Sequence, residues 1–130
     1  MAQQPLEMIL VRQLASYLAV PIWVADHEGN LVYYNEPAEK LLGVSFEDAG
    51  PINAERLATM FQATDLEGNP LQPEDLAVSR SLMGRAPTHG SLRFSGFDGV
   101  TRAIEVTAIP ITGQGDRFLG VMVTFWEKSD

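Results

Sequence analysis

The amino-acid sequence predicts an α+β fold built on a five-stranded antiparallel sheet, and three observations carry that prediction. Two pairs of strand-like segments are joined by short turns, His27-Glu28-Gly29-Asn30 and Asp98-Gly99, and a strand reversed so soon pairs antiparallel with its neighbour. The last segment, Arg117 to Trp126, is apolar at both parities, with Phe118, Met122 and Thr124 on one and Leu119, Val121, Val123 and Phe125 on the other. Such a strand belongs in the middle of a sheet that is covered on both faces. The covering elements are two apolar-periodic stretches, Leu6 to Leu18 and Pro73 to Gly84.

In chain order, Leu6 to Leu18 reads as a helix that Pro21 stops. At about 100° per residue its apolar side chains sweep an arc of roughly 200°, whereas one packed surface needs little over 100°. Two apolar surfaces on this helix therefore want cover. Ile22 to Ala25 is a short apolar run, reversed by the following turn into Leu31 to Tyr34. Asn35 stands where its side-chain oxygen can accept the amide near Ala38, Pro37 falls in the first helical turn, and Glu36 and Glu39 suit the positive helix end. Gly43 closes this helix.

Phe46 to Phe61 reads as short helical pieces, with Asn53 as a cap and Leu57, Met60 and Phe61 facing inward. Asp65-Leu66-Glu67-Gly68-Asn69-Pro70 is a loop, and Pro73-Glu74-Asp75 opens a helix that carries Leu76, Val78, Leu82 and Met83 to a stop at Gly84. The period then becomes two. Ser91 to Phe97 alternates polar with apolar residues, as an edge strand with one wet face does, and Val100 to Ile111 is its hairpin partner. Thr112 to Asp116 loops back to the final strand.

Taken as a set, the Asp26 to Gly43 pattern, the Asp65-x-x-Gly68-x-Pro70 loop and the three closing strands resemble a PAS domain over roughly residues 20 to 127. The resemblance implies a central last strand, the first strand beside it, helices on one face and an N-terminal cap helix on the other. It divides the chain into an amphipathic cap helix, residues 1–19, and a PAS domain, 20–130. It implies a sensory or regulatory module in signal transduction that binds a small apolar ligand or a partner protein and dimerises. The alternative is a ligand-free dimerisation and protein-interaction scaffold with a filled core. In the family, output passes through the N-terminal helix or through the end of the last strand, here Phe125-Trp126-Glu127-Lys128, where a linker to an effector often begins. The chain stops there, as expected either for a free-standing protein or for an excised domain.

Composition excludes several function classes. A chain of 130 residues with 45% hydrophobic content suits one core. The formal net charge of −8 disfavours nucleic acid and anionic membranes as partners. With no cysteine there is no disulfide, thiolate nucleophile, thiolate metal site or cysteinyl-flavin adduct. No basic leader or membrane-length apolar run appears, so the expected location is cytoplasmic.

No enzyme is expected. His27 reads as a solvated turn histidine rather than an acid, base or ligand. His89 lies between a helix and an edge strand, while the helix on which haem-binding PAS domains usually place their axial histidine has none, so haem is disfavoured. There is no Gly-x-Ser-x-Gly elbow, Gly113-Gln114-Gly115 lacks a following helix to receive an anion, and the carboxylates fall in turns and helix starts. No metal site and no catalytic residue are expected.

The candidate ligand pocket follows from strand alternation and the family resemblance together. Trp23, Ala25, Leu31 and Tyr33 share the parity that in the family faces the cavity, with Phe61, Phe94, Ile104, Val106, Ala108, Phe118 and Met122. The Trp23 indole and Tyr33 phenol would be its polar handles, unless the core is filled and both simply pack. The strands show no cluster of Asn and Gln to read a flavin edge. The candidate dimer interface is the cap helix, through Leu6, Met8, Leu10, Val11, Leu14 and Tyr17.

Overall fold

The computed structural model describes residues 6–53, 56, 62–96 and 98–128. Its five-stranded sheet has the order β2-β1-β5-β4-β3, with all neighbours antiparallel. The strands are β1 (Ile22–Asp26), β2 (Leu31–Tyr34), β3 (Thr88–Ser95), β4 (Thr101–Thr112) and β5 (Phe118–Glu127). β5 is central, flanked by the first strand and by β4, because Val121, Val123 and Phe125 bury on one face while Leu119 and Met122 pack on the other.

Helices cover both faces. Helix α1 (Leu6–Tyr17) lays Met8, Val11 and Ala15 on Ile22, Val24, Leu119 and Met122. The opposite face carries α2 (Glu36–Leu42), the single turn α3 (Phe46–Ala49) and α4 (Ala77–Gly84), which bury Ala38, Leu42 and Ala77 against Leu31, Ile104, Val106, Ala108 and Phe125. Leu57, Met60 and Phe61 lie outside the described residues, but the Asn53 cap does not: its Oδ1 accepts the Arg56 amide at 2.8 Å.

Two stretches depart from the expected boundaries. Pro73–Asp75 forms a separate 3₁₀ turn, closed by Asp75 N–H to the Gln72 carbonyl at 2.9 Å, and Leu76 is then extended, so α4 starts at Ala77. Gly84 does not stop this helix as a left-handed cap. Arg85 takes that conformation at φ +53°, with its guanidinium over the Phe118 ring and its amide bonded to the Ser81 carbonyl at 2.8 Å.

Two turns share one construction. In Asp26-His27-Glu28-Gly29-Asn30 and Asp65-Leu66-Glu67-Gly68-Asn69 the aspartate Oδ1 accepts the amides two and four residues on, and its Oδ2 accepts the asparagine side chain. The aspartate thereby replaces backbone partners that a tight turn cannot supply. At Asp65 the Asn69 amide and side chain, followed by the Glu67 and Gly68 amides, hold the carboxyl below its ordinary range, against a smaller opposing effect of desolvation.

Candidate functional site

The site begins with the β1–β2 pairing. Trp23 stands opposite Tyr34 and Val24 opposite Tyr33, but Ala25 stands opposite Leu31, so Val32 is an extra residue in β2. Such a bulge reverses the facing of everything on one side of it. Tyr33 therefore does not share with Leu31 the face that α2 and α4 cover. It lies beneath α1 together with Val32, and the Arg12 guanidinium sits 4.9 Å from its ring centroid. Tyr34 takes the inward place, donating its hydroxyl to the Val44 carbonyl at 2.9 Å. Burial above all, then the charges of Glu39 and Asp48, raises its phenol from 10.0 to about 12.

A second irregularity repeats the effect in β5. Thr112 pairs with Phe118 and Ile111 with Gly120, leaving Leu119 unpaired between them. Phe118 consequently packs on the face covered by α2 and α4, with Val121 and Val123, whereas Met122 turns toward α1. Strict alternation had placed Phe118 and Met122 on one face, and Met122 is corrected on this ground.

Between the sheet and α4 lies a cavity of about 120 Å³. Of the expected pocket residues, Trp23, Phe94, Ile104 and Val106 line it. Leu31 and Ala108 are fully buried in the same core but outside its wall, Ala25 is buried opposite Leu31, and Phe118 packs at the core's margin. Phe61 lies outside the described residues. The other described residues of the wall are Leu42, Ala63, Leu76, Ala77, Val78, Leu92, Val123 and Phe125, with Gly29. Leu92 was legible, since it alternates with Phe94; Val123 and Phe125 were hidden by the β5 bulge.

Among the described residues of this wall the indole is the only polar side-chain group. Its Nε1 is sealed from solvent and has no hydrogen-bond partner among the described residues. Trp23 meets Phe125 edge to face, ring centroids 6.4 Å apart, which fixes the ring. Ser81 Oγ, also sealed and without a partner among the described residues, lies on α4 one turn beyond Ala77 and is not among the described residues of the wall.

The volume is small beside the 300–1,000 Å³ or so that holds a drug-sized ligand. The chain has no cysteine for a flavin adduct. Among the described residues no group of three or more His, Asp or Glu is placed to hold a metal. His27 and Glu28 are exposed, 3.9 Å apart, and His89 Nδ1 shares a hydrogen with Thr107 Oγ1 at 3.0 Å on the outer sheet face. No helix among the described residues is long and apolar enough to cross a membrane.

The expected dimer residues split. Met8 is only 2% exposed and Val11 half-buried, because both face the chain's own sheet. Leu6, Leu10, Leu14 and Tyr17 are exposed on the outer side of α1. Behind the helix stands Asn35, 1% exposed, whose Oδ1 accepts the Ile22 and Ala38 amides and whose Nδ2 donates to the Ala15 and Val20 carbonyls.

The chain matches the PAS domain family model over residues 19–127. Among solved structures it is similar to a PAS domain from Colwellia psychrerythraea, with 21% identity, a TM-score of 0.65, and 93% of this chain and 96% of that one covered. It is similar to the PAS domain of nitrogen regulation protein NR(II) from Vibrio parahaemolyticus, with 23% identity, a TM-score of 0.65, and 92% and 98% covered. The Rhodobacter sphaeroides LOV protein superposes with a TM-score of 0.73 at 16% identity, covering 95% of this chain and 68% of its own. At these identities the likeness is one of fold. None of the curated proteins matches the chain.

Proposed function

The chain belongs to the PAS domain family, whose members are typically sensory and signalling modules, and from that premise we propose that it is a regulatory module that senses a small apolar molecule in its interior. The observation that carries the reading is the cavity of about 120 Å³ beside Trp23, walled by aliphatic and aromatic side chains. A concave and mostly apolar recess is the usual form of a small-molecule site. The module acts on a partner or effector rather than by catalysis, and works in the cytoplasm.

The exposed row Leu6, Leu10, Leu14 and Tyr17 supports homodimerisation through α1. We further propose residues 1–19 as the cap segment and 20–130 as the sensing domain. Occupancy of the cavity would reach α1 through the sheet, since Trp23 lines the cavity from β1 while Val24, the next residue, packs under α1.

Native mass spectrometry of the full chain from cells tests the reading, with a retained small molecule as the expected result. A bare chain whose melting temperature no apolar compound raises would favour the ligand-free scaffold instead.

A further inference from the structure

We propose that the end of α4 is a two-position switch, in which the left-handed cap passes between Arg85 and Gly84 and so fastens or loosens the helix that lies over the cavity. The use of the switch rests on the reading of this cavity as a ligand site; its mechanics do not. Ala77 and Val78 line the cavity from α4. Thr88 Oγ1 donates to the Ala77 carbonyl at 2.6 Å and Arg80 Nη2 to the His89 carbonyl at 2.5 Å, which ties the first half of the helix to β3. At its other end Arg85 reaches β5, with its guanidinium 5.1 Å from the centroid of the Phe118 ring.

The chain offers two caps, and the observed one is the more strained. Arg85 holds φ +53° although the residue before it is glycine, which takes the left-handed conformation without penalty. For a residue with a Cβ that conformation is disfavoured about tenfold in population. Two contacts hold Arg85 there: the Phe118 ring, and the Ser81 carbonyl that accepts its amide at 2.8 Å. A cation over an aromatic face at an exposed site is worth a factor of about two to five. A hydrogen bond at a helix end open to water adds a similar factor. The opposing factors nearly cancel, so both arrangements are populated. With Gly84 as the cap, α4 ends at Met83, gives up the Arg85–Ser81 bond and releases Phe118. The connection to β3 then gains one residue, on the order of 3.5 Å of reach.

Relaxation dispersion on the ¹⁵N-labelled full chain tests the switch, since it reads exchange on the microsecond-to-millisecond scale. Exchange is expected at the amides of Met83 to Ala86. Gly84→Ala should abolish it without loss of stability, because a Cβ at position 84 meets nothing within 4 Å and alanine is the better helix residue, whereas the left-handed alternative becomes costly. Phe118→Leu should raise the minor population about two- to fivefold. Adding Gly84→Ala to Phe118→Leu should suppress it again, which a merely disturbed core would not allow. Benzene, which enters apolar cavities of comparable size, serves as the probe of the cavity. At saturation it should quench the exchange, because a guest packed between α4 and the sheet gains its contacts only when the helix is fastened.

Flat dispersion in the wild type, or exchange that survives Gly84→Ala, overturns the switch while leaving the ligand-site reading in place. If the exchange depends on Gly84 but bound benzene leaves it unchanged, the switch does not serve the cavity and its proposed use is overturned. If benzene does not bind at millimolar concentration, the ligand-site reading falls and that use falls with it, while the Gly84 and Phe118 variants still decide whether the cap moves. Should Phe118→Leu fail to fold, Gly84→Ala decides alone.

Discussion

Asn35 Nδ2 donates to the Ala15 carbonyl at 2.9 Å, joining the cap of α2 to the last turn of α1 across twenty residues of chain. The same amide reaches the Val20 carbonyl at 2.9 Å, and its Oδ1 takes the amides of Ile22 and Ala38. One buried side chain thus fixes the end of α1, the connecting segment, the start of β1 and the start of α2. Asn35→Asp keeps an N-cap but turns an oxygen toward two carbonyls. We expect a loss of about 2 kcal/mol or more, with hydrogen exchange accelerated in α1 and little changed in α2. Unchanged exchange in α1 would show that the helix is held by its apolar face alone.

The outer and inner faces of α1 predict separable effects. Leu10 and Leu14 are 53% and 55% exposed, so Leu10→Glu with Leu14→Glu should leave the melting temperature nearly unchanged while converting the proposed dimer to a monomer in sedimentation. Met8→Ala should act in the opposite way, costing about 2–5 kcal/mol of folding stability through the cavity it opens under the helix. A wild type that sediments as a monomer at high micromolar concentration would remove the dimer from consideration.

Filling the cavity should differ from crowding the core. Val78 lines the cavity from α4, so Val78→Phe has space to enter and should be stability-neutral or better, while apolar probes no longer raise the melting temperature. Ala108 is fully buried and outside the wall, and Ala108→Trp should overpack the sheet and lose about 1–3 kcal/mol or more. Equal destabilisation by both substitutions would argue that α4 cannot accommodate a guest.

Tyr34 makes the fold sensitive to alkali. Its phenol is raised from 10.0 to about 12, chiefly by burial, so the folded state holds its proton more tightly than the unfolded state. That contribution is fully present below about pH 10 and disappears as the pH rises through about 12. Denaturant midpoints between pH 9 and pH 12 should therefore fall less steeply for Tyr34→Phe than for the wild type. Parallel curves would locate the alkaline sensitivity elsewhere.

The hairpin turns, the Asn35 and Asn53 caps, Gly43 and the central place of β5 were all legible in the amino-acid sequence, because each follows from chemistry within a few residues or from a simple period of two. Asn35 shows the limit of that legibility. Its capping bond to Ala38 is local and was foreseen, whereas its bonds to Ala15 and Val20 exist only once α1 has folded back over the sheet. The cavity wall divides in the same way. Trp23, Phe94, Ile104 and Val106 follow their alternation, but Tyr33 and Met122 do not, since bulges at Val32 and Leu119 each insert one residue and invert the faces beyond it. A bulge is set by how two strands pair across the sheet, and nothing in the local run of side chains specifies it. The sequence alone thus determined which segments are strands and helices, and tertiary pairing decided which side of the sheet each tyrosine and methionine would face.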